Sequence, residues 1–425
     1  MPQPTPTPSH HAISAKVHFA TGFAVVIAAA ILSYFLHDTA FGRHLEMANL
    51  DAWFGLASTA QDPHIAVVAI TDEDYAGPVF HRASPLPAEG VAKLIHAVAL
   101  SRPAAIVVDL DTSEWKPSDR DALQSGLQQL APAPQIAWAI GGARNTKGIL
   151  TLRTFEHAGA CLGVPASIPD NYGVVRGYLP YVASAGVRWP SLAEVANHLD
   201  TAHACPAAQA APAAQIDEEL PEVDLIEYSG GPARFIHLAA TALFGAADTP
   251  AWRNANPLQG KIVIVGGQFQ EARDRYVTPA GYLDGVDILA HAIASQRNGG
   301  IPEPSHRAFL FSDLALGCLL VTLSFFVRGV RMLAITFVAI PFVALGASFA
   351  LYHYTGYFLS FMPILAAVFL HHLVEHSVEH WQLVFEHAKL EQEVLELRAR
   401  LHAETRSPAA PDPDPAPEPP PLDPQ

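Results

Sequence analysis

The sequence predicts an α/β domain, a mixed or mostly parallel sheet covered by helices, joined to four membrane-spanning helices and a short coiled coil. Three observations carry this expectation. Continuous apolar runs rich in Val and Ile alternate with stretches at helical spacing, the pattern of buried parallel strands connected by helices. Four other apolar runs approach the twenty or so residues that cover a bilayer's hydrocarbon core at 1.5 Å per residue. Finally, Leu383, Leu390 and Leu397 recur every seventh residue near the C-terminal end.

These observations divide the chain as follows: a disordered Pro- and His-rich start at 1–16, a first span at 17–36 and the α/β domain at 37–306. Spans at 307–327, 332–352 and 356–374, a helix or coiled coil at 375–404 and a Pro- and Asp-rich tail at 405–425 follow. Within the α/β domain, LEMANLDAWFGL places Leu45, Leu50, Trp53, Phe54 and Leu56 at mixed helical spacing. HIAVVAIT, 64–71, reads as a buried strand, and Val91, Leu94, Ile95 and Val98 mark the core face of a helix over 87–100. AAIVVDLD, 104–111, completes a β-α-β unit of parallel strands. A helix over 118–130, a strand beginning QIAWAIGG at Gln135 and a helix after Pro190 extend the pattern, with an irregular lobe between. DLIEYSG reads as a strand, FIHLAATALFG as a helix, KIVIVGG as a short buried strand and 285–297 as the closing helix. TAHACPAAQAAPAAQIDEELPEV reads as an exposed low-complexity loop.

Charge sets the expected topology. Lys16 precedes the first run and Arg328 and Arg331 fill the joint after the second, whereas the joint at 353–356 has neither Lys nor Arg. The positive-inside rule then leaves both termini cytoplasmic and residues 37–306 outside. Asp313 is the one acidic group within the last three runs, expected at an interface or paired inside a bundle. A net charge of −16 opposes binding to phosphate backbones, so nucleic acid is excluded as a partner. Of three cysteines, Cys161 and Cys205 form the one pair open to bridging, and two separate buried thiols remain the alternative.

Asp51-Ala-Trp-Phe, VVAITDEDY from Val67, Pro85-Leu86, RPAAIVVDLD from Arg102, KIVIVGG and TPAGYLDGVDILAHAIASQ from Thr278 together resemble the CHASE2 family of extracellular sensory domains. The resemblance covers residues 40–375. It implies signal reception by a multi-pass protein of the bacterial inner membrane, with a periplasmic or extracellular sensor coupled to a cyclase, histidine kinase or Ser/Thr kinase. The roughly fifty residues after Val374 hold no Gly-rich phosphate loop and no kinase catalytic sequence. The expectation is therefore a non-enzymatic sensor without a cofactor, handing its signal to a separate cytoplasmic kinase or cyclase. The second reading is an envelope assembly protein that uses the outer domain to bind another protein.

Ligands of parallel α/β sheets collect at the carboxyl ends of the strands. The candidates there are Asp72, Asp74 and Tyr75 after one strand, Asp109, Asp111 and Trp115 after another, and Arg273 and Arg275 in the loop after the KIVIVGG strand. On an extended chain Asp109 and Asp111 share one side and could face a cation, while capping of the following helices is the plainer role for these acids. DLDTS, 109–113, is similar to the first motif of haloacid-dehalogenase-like phosphatases, but no further acids with an upstream lysine complete a magnesium site. His372, His376 and His380 share a helical face, which reads as a polar stripe rather than a metal site. The expected coiled-coil seam is Leu383, Leu390, Val394, Leu397 and Leu401, pairing two copies as a homodimer.

Overall fold

The computed structural model describes residues 27–28, 30–36, 39–57, 61–128, 134–144, 150–153, 160–184, 187–202, 204–206, 208–210, 223–247, 249–301, 306–326, 338–361, 365, 381, 384–385 and 387–399. Its centre is a six-stranded sheet. In chain order the strands are β1 (Ile65–Ile70), β2 (Ala105–Asp109), β3 (Ile136–Ala139), β4 (Ala160–Gly163), β5 (Ile236–Ala239) and β6 (Ile262–Gly267). They lie in the order β5-β1-β6-β2-β3-β4, every neighbouring pair parallel. β6 is the last of the six in sequence, yet it slots between β1 and β2, so the sheet's connectivity reverses around it.

The inner strands are apolar on both faces because both faces are covered. On one face Val91, Leu94, Ile95 and Val98 of α3 (Ala88–Ala99) pack with Leu123 of α4 (Pro117–Gln128) and Leu243 of α6 (Ala240–Ala246). All four expected core residues of α3 are fully buried. On the other face lie α5 (Leu192–Ala202) and α8 (Gly285–Arg297), together with α1 (Ala40–Leu56), whose Leu50, Trp53 and Phe54 enter the core while Leu56 is exposed. Between these elements come the short helices α2 (Asp72–Ala76) and α7 (Pro250–Ala255).

The irregular lobe consists of small antiparallel sheets, one pairing Ser167–Pro169, Val175–Tyr178 and Asp224–Leu225. Arg176 ties this lobe to α1: its Nε and Nη2 donate to Asp51 at 3.2 and 2.7 Å, and it pairs with Asp170. Cys161 and Cys205 are bridged, which resolves the open alternative and fastens the region after α5 to β4. Two local expectations change. FIHLAATALFG begins as edge strand β5 and turns helical only at Ala240. DLIEYSG contributes a strand of just two residues.

The larger correction concerns the membrane. Among the described residues no helix is long and apolar enough to cross one. The four spans, the bilayer as partner, the multi-pass inner-membrane placement and the membrane-receptor reading built on them are therefore set aside. Apolar length suggested those spans; in the structure one face of these helices packs while Phe311, Leu319, Phe342, Val343 and Tyr354 stay exposed. The helix α10 (Ile340–Thr355) has 16 residues and stops at Gly356, whose φ of 74° ends it in a left-handed turn. Its Tyr352 and the following Phe358 are buried in the same core cluster as Trp53 and Ile288, with Leu345 and Phe349 against it. α9 (His306–Phe326) has 21 residues but opens on His306 and Arg307 and carries Asp313, which is buried and accepts a hydrogen bond from Ser33 at 2.6 Å. The run 17–36 is described only from residue 27, and 356–374 only through 361 and at 365, so most of these two runs lies outside the described residues.

Candidate functional site

The carboxyl ends of β1, β6 and β2 converge with a hairpin formed by β7 (Arg275–Thr278) and β8 (Gly281–Asp284). This hairpin follows β6 and runs directly into α8, so the loop that carries it lies over the edge of the sheet where the connectivity reverses. Two carboxyl groups dominate the edge. Asp109, the last residue of β2, pairs in register with Gly266. Burial pushes its carboxyl up to about 7, and the neighbouring Asp274 carboxylate adds to the shift. Burial also raises Asp274, opposed by a hydrogen bond from the Tyr276 hydroxyl. Tyr276 in turn is pushed up to about 12, first by burial and then by Asp274. Two acids this close cannot both ionise without cost, so the pair retains a proton near neutrality.

Glycine makes this approach feasible. A methyl group on Gly285 would stand 2.0 Å from Asp274 Oδ2, and the Gly285 N–H donates to the Asp274 carbonyl at 2.8 Å. One on Gly266 would stand 2.9 Å from the Val286 side chain. Both glycines let the start of α8 sit directly on the ends of the strands. Asp284, raised first by burial and then by Asp287, extends the acidic surface.

A second network lies beside the pair. His237 on β5 donates from Nε2 to Asp287 Oδ1 at 2.6 Å, and Gln268 donates to Asp287 Oδ2 at 2.9 Å. The hydrogen bond donated to Asp287 raises the imidazole against the lowering effect of burial.

The structure separates the expected site residues. Asp74 is a structural cap: it accepts from the Thr71 N–H and hydroxyl and from the N–H groups of Ala240 and Thr241, at 2.9, 3.0, 3.1 and 2.9 Å. Burial pushes its carboxyl upward, but these hydrogen bonds prevail and hold it below the usual range. One side chain thus closes the amino end of α2 and anchors that of α6. Tyr75 is buried and stacks on Phe269 at 4.2 Å between ring centres. Trp115 is buried, donates to the Leu86 carbonyl at 2.8 Å and meets Trp138 edge-on. These three residues are committed to the fold.

Asp72 is exposed and accepts from the Gln270 N–H at 2.9 Å, which ties the ends of β1 and β6 together. Asp111 lies beyond the end of β2, which closes at Asp109. It accepts instead from the Ser113 N–H at 2.9 Å, close beside Gly141. Arg273 is exposed in a left-handed turn at φ 52°, and the Arg275 guanidinium lies 6.0 Å from the centre of the Tyr282 ring. Among the described residues no group of three or more His, Cys, Asp or Glu could hold a metal ion. Of the expected seam, Leu390, Val394 and Leu397 are exposed on one helix, while Leu383, Leu401 and the His372, His376, His380 stripe lie outside the described residues.

The fold is that of an α/β domain whose parallel sheet carries a carboxyl pair at the carboxyl ends of its strands. The chain belongs to the CHASE2 domain family, which it matches over residues 24–327; these are sensory modules rather than enzymes. No curated protein and no solved structure matches it.

Proposed function

We propose that this chain is a sensory module whose effector is a small organic cation, an amine-bearing molecule seated over Asp109 and Asp274. The observation that carries the reading is the carboxyl pair itself, held together at the edge of a parallel sheet with Asp109 pushed up to about 7. A bound ammonium group would supply the positive charge that the pair otherwise obtains from a proton. Tyr276 and Tyr282, 41 and 68 % exposed on the hairpin, offer aromatic faces to the same ligand. A single ammonium group needs no multidentate metal cage, in keeping with the scattered acids around it.

α8 is the path by which occupancy is felt elsewhere. Its first residues rest on Gly266 and Asp274, while at its far end Ser295 accepts from the Glu227 N–H at 2.7 Å. Its 13 residues span about 20 Å at the helical rise, from one end of the sheet to the other. A ligand that prefers one placement of α8 shifts the joint with α10 by its differential affinity for the two placements.

Calorimetric titration of the full chain with a series of alkyl mono- and diamines, with the matching carboxylic acids as controls, tests this. Amines are expected to bind with proton release at pH 6.5, and Asp109→Asn and Asp274→Asn are each expected to weaken them at least tenfold. Equal binding of acids and amines, or amine binding untouched by both substitutions, would overturn the reading.

A further inference from the structure

The helix over 387–399 stands outside the family match and is not explained by recognition at the sheet. Leu390, Val394 and Leu397 on it are 60, 47 and 59 % exposed. The 13 helical residues described there would be marginal alone in water, and a second apolar surface is the ordinary remedy. We propose that it pairs with the same helix of a second copy as a parallel two-stranded coiled coil. Leu390 and Leu397 occupy d positions, and His387 and Val394 occupy a positions.

Three features favour another copy of this chain in parallel orientation over an unrelated partner. Valine at a with leucine at d is the combination that favours two parallel strands. The flanking charges are self-complementary, because Glu393 falls at g and Arg398 at the following e, the two positions that meet between chains in a parallel pair. His387, 76 % exposed and 3.6 Å from Glu391, would meet its counterpart at the axis as a single polar layer. One polar layer among apolar ones penalises staggered alignments and so fixes register at some cost in stability. In the sequence Leu383 and Leu401 continue the repeat on either side. Trp381 and Phe385 fall off this seam, at b and f, and contact each other at 6.1 Å.

The test uses the full chain with the free Cys318 replaced by Ser. Sedimentation should show a monomer–dimer equilibrium, and Leu390→Cys should oxidise to a disulfide-linked dimer while Gln392→Cys, on the outer face, crosslinks far less. Arg398→Glu should weaken the dimer about tenfold, two like-charged contacts replacing two attractive ones, and Glu393→Arg added to it should restore much of the loss. His387→Val should tighten the dimer. The unfolding midpoint of the α/β domain should not change in any variant, since these side chains lie outside it. A monomer at every concentration, equal crosslinking at 390 and 392, or an Arg398→Glu defect that Glu393→Arg deepens would overturn the proposal.

Discussion

The two ends of the central sheet solve opposite problems. At the amino end of the strands several buried polar side chains are paired. His291, fully buried, faces the Glu227 and Gly231 carbonyls at 2.9 and 3.2 Å, and burial lowers its imidazole to about 4, so it stays neutral. Trp53 donates to Ser348 at 3.3 Å, and the Ser229 and Tyr352 hydroxyls lie 3.3 Å apart. At the carboxyl end, Asp109 and Asp274 are held close in partial burial, an arrangement that favours a proton or another positive charge. The first end is built to stay put and to hold α10. The second carries the proposed ligand site.

That contrast can be broken at either end, and the rigid end should show the larger effect. Trp53→Ala removes a ring packed against Phe349 at 5.2 Å within the main core cluster. It is expected to cost about 3–5 kcal/mol of unfolding free energy in urea, with the pH dependence of stability unchanged. Asp109→Asn should act in the opposite direction. A carboxyl raised in the folded state contributes stability below the usual carboxylate range and loses it as pH rises through about 7. The variant should therefore match the parent near pH 4 and exceed it at pH 8 by up to about 4 kcal/mol, flattening the profile between. The smallest effect belongs to the joint with α10. Ser229→Ala is expected to cost about 1 kcal/mol, read as a small fall in the urea midpoint without a change of slope.

How much of this was legible in the sequence depended on how local the signal was. The residues Val91, Leu94, Ile95 and Val98 announce α3 because helical periodicity is written in the sequence itself. β1, β2 and β6 announce themselves as unbroken Val- and Ile-rich runs. β5 was misread because four residues on a sheet edge, continuing straight into a helix, carry no alternation of their own. The 16 apolar-rich residues of α10 resemble a span, and one-dimensional hydropathy has no access to the face through which Tyr352, Leu345 and Phe349 meet the core of Trp53 and Ile288. At the carboxyl end of the sheet, Asp109 was singled out because it ends a strand. Asp274 lies in the loop that was singled out, between its two arginines, but was not picked as a ligand candidate. Nothing local marks it, because its significance comes from Asp109, far away in the chain, and from Gly285, which leaves room for its carboxylate. The nearest sequence signal was a glycine opening a helix. Similarly, His237 and Gln268 gain a role only through Asp287.

Carbon-13 NMR of the Asp side-chain carboxyls, with Asp109 assigned by its loss in Asp109→Asn, measures the charge state on which the recognition reading rests. The account predicts an Asp109 titration midpoint near 7 that moves below 5 when an amine occupies the site. A midpoint in the ordinary carboxylate range without ligand, or one near 7 that saturating amine leaves in place, would contradict it.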